Sequence, residues 1–517
     1  MKLFAFHYHF LTGGVTTAVC EALRSFREHL PELSALHLVG ATAARGLPEE
    51  LAREGIAFEA LPEIDYRDTR GLPRRRVSIE ARRLASRLLE RYGGADSVWW
   101  IHNHHLGKNP VFTQALLEVQ RVSPTQKLIL QIHDFPECGR LENLRILDAA
   151  LSLPPYPVGT NVRYAVLTSR DGEVLREGGI PAASVFVLGN PVPPLDRPAA
   201  YSFPTGRSAV RRRLQRAFGG MFPGFDPARP LALYPVRTIR RKNVLEACLL
   251  ALLAEEPIAL AVTLPGLSPA EKGYSDRVEA LFRSGRCPGL WGFGGRLREA
   301  GLSFEGLVGA ADLVVSSAVQ EGFGYLFIDT LQWRRPLLAR NLENLQETRE
   351  LFDPYPAHWY DALLCPLPAA QRRELLGAYR RKIAELGEAI PAGELPRLHE
   401  ELERLFASEL TDFSFLPADR QERVLARLDD PGVLEALREA NRALVGSLGE
   451  LLSAAVPDRG PQVQARYGPA RYAQAFGRLL HSFEGPWDGE AEIDPAAVQT
   501  RIIARFARLE NLRLLYD

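Results

Sequence analysis

The residues with the clearest chemical potential lie in one stretch. Leu313–Ser316 is short, apolar and β-branched, as a buried strand would be, and Glu321-Gly322-Phe323-Gly324 follows it. The apolar spacing of Tyr325, Leu326, Ile328 and Trp333 then predicts a helix that Pro336 stops. A strand, a glycine-spaced turn and a helix N-terminus make an anion site. Amide N–H groups point outward, glycines carry no Cβ to block a ligand, and the helix dipole favours negative charge. Two acids flank it, Glu321 on the loop and Asp329 about two helical turns further on. Beside a phosphate site, a carboxylate is suited to accept hydrogen bonds from hydroxyls, such as those of a ribose or a hexose. Read alone, the stretch also fits an ordinary strand–loop–helix of an α/β domain.

Five other constellations bear on the choice. Leu11-Thr12-Gly13-Gly14 follows the first apolar run and opens a helix, a second anion-ready N-terminus or simply a tight turn. Leu231–Val236 runs into Arg237 and Lys242, two cations at a strand's carboxyl end, able to neutralise charge on a departing diphosphate. Arg240 and Arg241 between them read as solvated neighbours. His133-Asp134 ends the strand candidate Leu128–His133 and is either catalytic or a local hydrogen bonder. His7 and His9 share a strand face near Gly13, where they and His104 are candidates for acceptor contact. The run His102-Asn103-His104-His105 invites a metal reading. With no Cys, Asp or Glu partner close in sequence, no metal site is expected there.

These residues need a scaffold. Apolar runs at Leu3–Tyr8, Ala35–Val39, Ser97–His102, Leu128–His133, Tyr164–Thr168 and Val185–Leu188 alternate with amphipathic stretches, the signature of βαβ units around a parallel sheet. A proline-rich linker runs from Asn190 to about Pro230. The rhythm then restarts at Leu231–Val236, Ile258–Leu264, Leu290–Phe293, Leu313–Ser316 and Leu337–Arg340. Two doubly wound domains are expected, with ligands beyond the carboxyl ends of the strands and a cleft between the domains. After Arg340 the pattern turns helical.

The length of 517 residues accommodates such domains, and 46% apolar with 24% charged residues is ordinary globular composition. Equal totals of 63 basic and 63 acidic residues argue against a nucleic-acid surface as the main activity. The five scattered cysteines read as reduced thiols of a cytoplasmic protein. Ala247–Leu264, the most apolar region, is broken by Glu255-Glu256-Pro257, so no membrane span is expected. Arg70 to Arg91 reads as a solvated helix on the sheet in preference to a membrane-docking surface.

The ordered motifs resemble retaining GT-B glycosyltransferases, especially glycosyltransferase family 4. Glu321-Gly-Phe-Gly with Asp329 is similar to that family's E-x7-E element, departing at Asp329, usually Glu, and Thr330, usually Ala. Arg237 to Asn243 resembles its Gly-Arg-Leu-x-x-x-Lys-Gly, with Val236 and Asn243 in place of the glycines. The likeness covers most of 1–345 and, more faintly, 415–485. It implies an N-terminal Rossmann-like domain on the acceptor side (1–195) and a donor-side domain (196–485) with a helical insertion at about 350–412. A helical tail (486–517) would pack back on the first domain. The implied activity is metal-independent transfer of a hexose, with retention, from a nucleotide diphosphate sugar of UDP-glucose or GDP-mannose type to a hydroxyl acceptor, without a cofactor. Arg237, Lys242 and the Gly13-Gly14 amides would hold the diphosphate. Glu321 and the amides of Gly322, Phe323 and Gly324 would hold the sugar, Asp329 the ribose, and His133 would lie near the anomeric carbon. A sugar-nucleotide epimerase or a non-catalytic binding module of the same fold are the alternatives. Donor base, acceptor and oligomeric state are not legible.

Overall fold

The computed structural model describes residues 1–11, 13–42, 47–195, 206–387, 389–485 and 493–513. Thr12, the part of the linker from 196 to 205, and residues 486–492 and 514–517 of the expected helical tail lie outside them. The chain divides into two compact units. Met1–Pro194, Glu385–Leu395 and Gln464–Arg508 make the first; Leu195–Ala384, Pro396–Val463 and Leu509–Asp517 make the second.

The first unit is built on seven parallel strands: β1 (Lys2–Phe6), β2 (Ala35–Gly40), β3 (Ile56–Ala60), β4 (Ser97–His102), β5 (Lys127–Ile132), β6 (Val162–Val166) and β7 (Val185–Val187), in the order β3-β2-β1-β4-β5-β6-β7. Alternation along each strand feeds two cores. Phe4, Phe6 and Trp99 point to one face, with Leu84 and Leu88 of helix Arg74–Tyr92. Leu3, Ala5 and Trp100 point to the other, where helix Gly14–His29 is clasped by helix Pro469–His481 through the stacked rings of Phe26 and Phe476. Helix Arg74–Tyr92 buries its apolar stripe, and Arg76, Arg87 and Arg91 pair with Glu80, Glu63 and Glu59.

The second unit carries six parallel strands, β8 (Leu231–Arg237), β9 (Ala259–Leu264), β10 (Gly289–Trp291), β11 (Leu313–Ser316), β12 (Leu337–Arg340) and β13 (Ala357–Tyr360), ordered β10-β9-β8-β11-β12-β13. Four strands were not expected: β3 and β13 in these sheets, and a separate antiparallel pair, Leu364–Pro366 with Leu410–Asp412. The first two share a cause. Both are edge strands with only one buried residue each, Ile56 and Tyr360, so neither needs the continuous apolar run of an interior strand. β13 therefore lies inside the stretch read as helical. The helices expected there follow it, at Ala369–Glu385 and Leu395–Ala407.

In both sheets the chain winds outward from the first strand and then reverses. The turning points fall between β1 and β4 and between β8 and β11. At such a reversal the loops beyond the carboxyl ends diverge and leave a crevice, the usual ligand position of a doubly wound sheet.

Candidate active site

In the second unit the loops leaving β8 and β11 hold the charged residues, and backbone bonds stitch them together. The Val319 N–H donates to the Arg241 carbonyl at 2.9 Å, the Ser317 hydroxyl to Asn243 O at 3.0 Å, and the Tyr234 hydroxyl to Lys242 O at 2.7 Å. Lys242 and Glu321, 79 residues apart in sequence, meet as an ion pair with 14% and 9% of their side chains exposed. Lys242 takes Glu321 Oε1. Asn344 fixes the loop from below, its Nδ2 donating to the carbonyls of Glu321 (2.6 Å) and Gly322 (2.8 Å). Neither Gly322 nor Gly324 finds an acceptor for its amide N–H among the described residues. Gly324, at φ 78, opens helix Tyr325–Trp333, and a Cβ there would come within 2.6 Å of Leu345. Two unfilled donors at a helix N-terminus await an oxygen ligand.

Asp329 is half-buried on that helix and makes no hydrogen bond or ion pair among the described residues. Burial without a partner pushes its carboxyl up to about 7. Arg237 is 45% exposed, with Glu271 Oε1 3.7 Å away as its loose anchor. Glu271 also completes the capping box of helix Pro269–Arg283.

Asn243 stands where a glycine was expected from the resemblance, and its backbone explains the exchange. It lies in the left-handed region (φ 49, ψ 45), which asparagine tolerates better than most residues. Its amide also donates to Glu246 (2.7 Å) and accepts from Arg240 and Gln421 (3.1 Å each). Arg240 is thus no solvated neighbour. It is 7% exposed, and its guanidinium donates to Leu416 O at 2.9 Å, tying the segment after the helical insertion to the basic loop. Behind it, Arg340 is 1% exposed, bridges Glu246 (2.7 Å) and Asp412 (2.9 Å), and so anchors β12. Truncating such a buried, hydrogen-bonded arginine costs about 3–5 kcal/mol. Sequence reasoning missed Asn344, Glu271 and these anchors, whose partners are far away in the chain.

In the first unit the loops leaving β1, β4 and β5 gather histidines. The expected Gly13 and Gly14 open helix Gly14–His29. Neither lies in the left-handed region, and a Cβ on Gly14 would meet nothing within 4 Å, so the fold itself does not require glycine there. His133 is half-buried. Its Nε2 lies 2.9 Å from His102 Nδ1, and its N–H donates to Asn103 Oδ1 at 2.8 Å. Burial holds His133 neutral, down at about 4. Burial first, then His133 and His9, hold His7 at about 3. The rings of His7 and His9 lie 5.7 Å apart, with His9 the more open of the two.

His104 presents no exposed surface through which to contact an acceptor. It is fully buried with Nε2 on the Pro155 carbonyl at 2.8 Å. Asn103, at φ 57, turns the chain after β4, so His104 does not continue the strand. No group of three or more His, Cys, Asp or Glu positioned for a metal occurs among the described residues. No helix there is long and apolar enough to cross a membrane.

No protein-family model matches the chain. Mannosylglucosyl-3-phosphoglycerate synthase of Petrotoga mobilis is 29% identical over an alignment of 535 positions, covering 100% of this chain and 99% of that protein. Among solved structures, Anabaena HepE in complex with UDP-glucose superposes with a TM-score of 0.50 at 12% identity, covering 93% of this chain and all of that one. The lipopolysaccharide outer core galactosyltransferase WaaB, without ligand, gives 0.49 at 13% identity, covering 93% of this chain and 99% of that one. Two parallel Rossmann-like sheets, in the GT-B arrangement of folds, are what the sequence led us to expect and what the chain has.

Proposed function

We propose that the chain is a retaining hexosyltransferase of the family 4 type, carrying a hexose from a nucleoside diphosphate sugar to a hydroxyl of a glycosylated phosphoglycerate. The observation that carries this reading is the union of the loops after β8 and β11 around the Lys242–Glu321 pair, with the open amides of Gly322 and Gly324 beside it. The acceptor class is taken from the name of the Petrotoga relative, to which the chain is similar along its whole length.

In this scheme Lys242 and Arg237 neutralise the diphosphate as its bond to the sugar breaks, so stabilisation grows with the developing charge. Lys242 engages Oε1 of Glu321, and Oε2 is assigned to the sugar hydroxyls. Asp329 accepts from the ribose hydroxyls. The amides at Gly13 and Gly14 add donors to the diphosphate, and neutral His133 offers a hydrogen bond near the anomeric carbon without adding charge. The acceptor oxygen attacks from the face the diphosphate leaves, and the departing phosphate oxygen takes its proton, which keeps the anomeric configuration. No carboxylate need act as covalent nucleophile, in contrast to a retaining glycosidase.

The scheme uses fixed cations where other transferases use a divalent ion. Turnover of GDP-mannose or UDP-glucose with a glucosyl-3-phosphoglycerate acceptor should therefore persist in excess EDTA. Loss of turnover in EDTA with recovery on Mn²⁺ would overturn the metal-free part. Release of an epimerised nucleotide sugar without acceptor would replace transfer by epimerisation.

A further inference from the structure

The reading above leaves one constellation of the first unit unused, just beyond the carboxyl ends of β3, β4 and β5. Asn109 Nδ2 donates to the carbonyls of Glu63 (2.9 Å) and Asp65 (2.7 Å), and the Arg67 N–H donates to Lys108 O at 2.8 Å. The segments 63–67 and 106–109 are thereby locked together. Gly107, at φ 68, lets the chain after β5 come close, since a Cβ there would stand 2.8 Å from Asn143 O. Asn143 returns a bond to Leu106 O at 2.8 Å. Lys108 and Tyr66 stand on this frame. Lys108 lies over the ring of Tyr66, 5.4 Å from its centroid; Tyr66 is 52% exposed and packs edge-on against His9 at 4.8 Å. Arg140 stands near enough to act electrostatically on both Tyr66 and Lys108.

The charge balance here is uneven. Arg67 and Arg76 pair with Glu80, Arg70 pairs with Asp68, and Arg140 reaches Asp134 at 3.3 Å. Asp65 is turned to its own loop, accepting from the Tyr66 N–H. The Lys108 ammonium, alone among these cationic groups, finds no hydrogen bond or ion pair among the described residues. It is half-buried, and burial together with the Arg140 charge holds its ammonium below the ordinary lysine range. A partly desolvated cation facing a second cation is unfavourable until an anion joins them.

We propose that Lys108, Arg140 and the Tyr66 hydroxyl form the subsite for the acid end of the acceptor, a phosphate- and carboxylate-bearing glycerate joined to a sugar. The identification of that anion as part of an acceptor rests on the proposed function; the anion site itself does not. Lys108 supplies a point charge and Arg140 a fork able to span two oxygens. His9, against Tyr66, would then stand toward the sugar that carries the acid.

Calorimetric titration of 3-phosphoglycerate into the full-length protein, with no donor present, tests the subsite without requiring catalysis. Lys108→Gln and Arg140→Gln should each weaken binding by about ten- to a hundredfold, the range for a charge-assisted hydrogen bond. Lys108→Arg should recover most of the loss. Arg82→Gln, removing an equal charge from the exposed side of helix Arg74–Tyr92, should stay within about twofold. In turnover, Lys108→Gln should raise the acceptor KM by the same factor and leave the donor KM within about twofold. Wild-type affinity in Lys108→Gln, or a loss no greater than in Arg82→Gln, would overturn the subsite. If the wild type fails to bind 3-phosphoglycerate but transfers hexose, the subsite is wrong and the function stands. If binding depends on Lys108 but no nucleotide sugar is used, the function is wrong and the subsite stands.

Discussion

The two sheets share a winding pattern and meet opposite electrostatic demands at the same place. Beyond β8 and β11 the second unit keeps full charges, already paired in Lys242–Glu321 and braced by Arg240 and Arg340. Beyond β1, β4 and β5 the first unit keeps rings, and burial holds His7, His102, His104, His105 and His133 neutral. The contrast follows from what each crevice is proposed to hold. A departing diphosphate develops charge and is best met by fixed, preorganised cations. The side of the sugar transfer presents hydroxyls, for which neutral donors and acceptors suffice, and its one strong cation pair, Lys108 and Arg140, stands apart at the rim.

The largest effects expected from breaking this contrast lie in the second unit. Glu321→Ala should lower kcat by about ten- to more than a hundredfold, the value of a hydrogen bond to a charged group that strengthens in the transition state. Binding of the bare nucleoside diphosphate should be nearly unchanged. Asp329→Ala should instead raise the donor KM with kcat largely kept, because ribose contacts are equal in ground and transition states. With its carboxyl at about 7, Asp329 accepts hydroxyl hydrogens best once ionised, so the wild-type donor KM should fall as pH rises from 6 to 8. The linkage to stability has the opposite sense. A carboxyl raised in the folded state favours folding below its unfolded pKa, and that stability is lost as pH rises through about 7. Asp329→Asn should therefore abolish the KM step and melt higher than wild type at pH 8, by about 2 °C or more. Unchanged melting and an unchanged KM profile would remove Asp329 from the donor site.

A smaller effect sharpens the first-unit side. His104 is held at about 4 by burial against an ordinary 6.5, so the unfolded chain takes its proton first as pH falls. Stability should decline from about pH 6.5 toward 4, with about 1.4 kcal/mol per pH unit due to this residue. His104→Gln, which keeps a donor for Pro155 O, should flatten that slope and leave the acceptor KM as it was. A raised acceptor KM would return His104 to the binding surface.

The parts of this site that were legible in the sequence depend on neighbours in the chain. Leu313–Ser316 with Glu321-Gly-Phe-Gly gave strand, turn and helix because each signal is local, and Leu231–Lys242 followed the same way. The fate of Arg240 was illegible because its partner, Leu416, lies 176 residues on, so it looked like a solvated neighbour of Arg237 and Lys242. The burial of His104 was illegible for a different reason: it follows the end of β4 at His102, where the left-handed Asn103 turns the chain and alternation no longer gives a face. β3 and β13 escaped because half-exposed edge strands lack the apolar run that identifies interior ones.

The central claim is that the loops after β8 and β11 hold the nucleoside diphosphate. Hydrogen exchange of the full-length protein with and without saturating GDP or UDP tests it most directly, since it needs neither acceptor nor turnover. Protection is expected across 237–243 and 320–330, and it should persist in EDTA. Nucleotide binding that leaves both segments exchanging as in the free protein would contradict the claim.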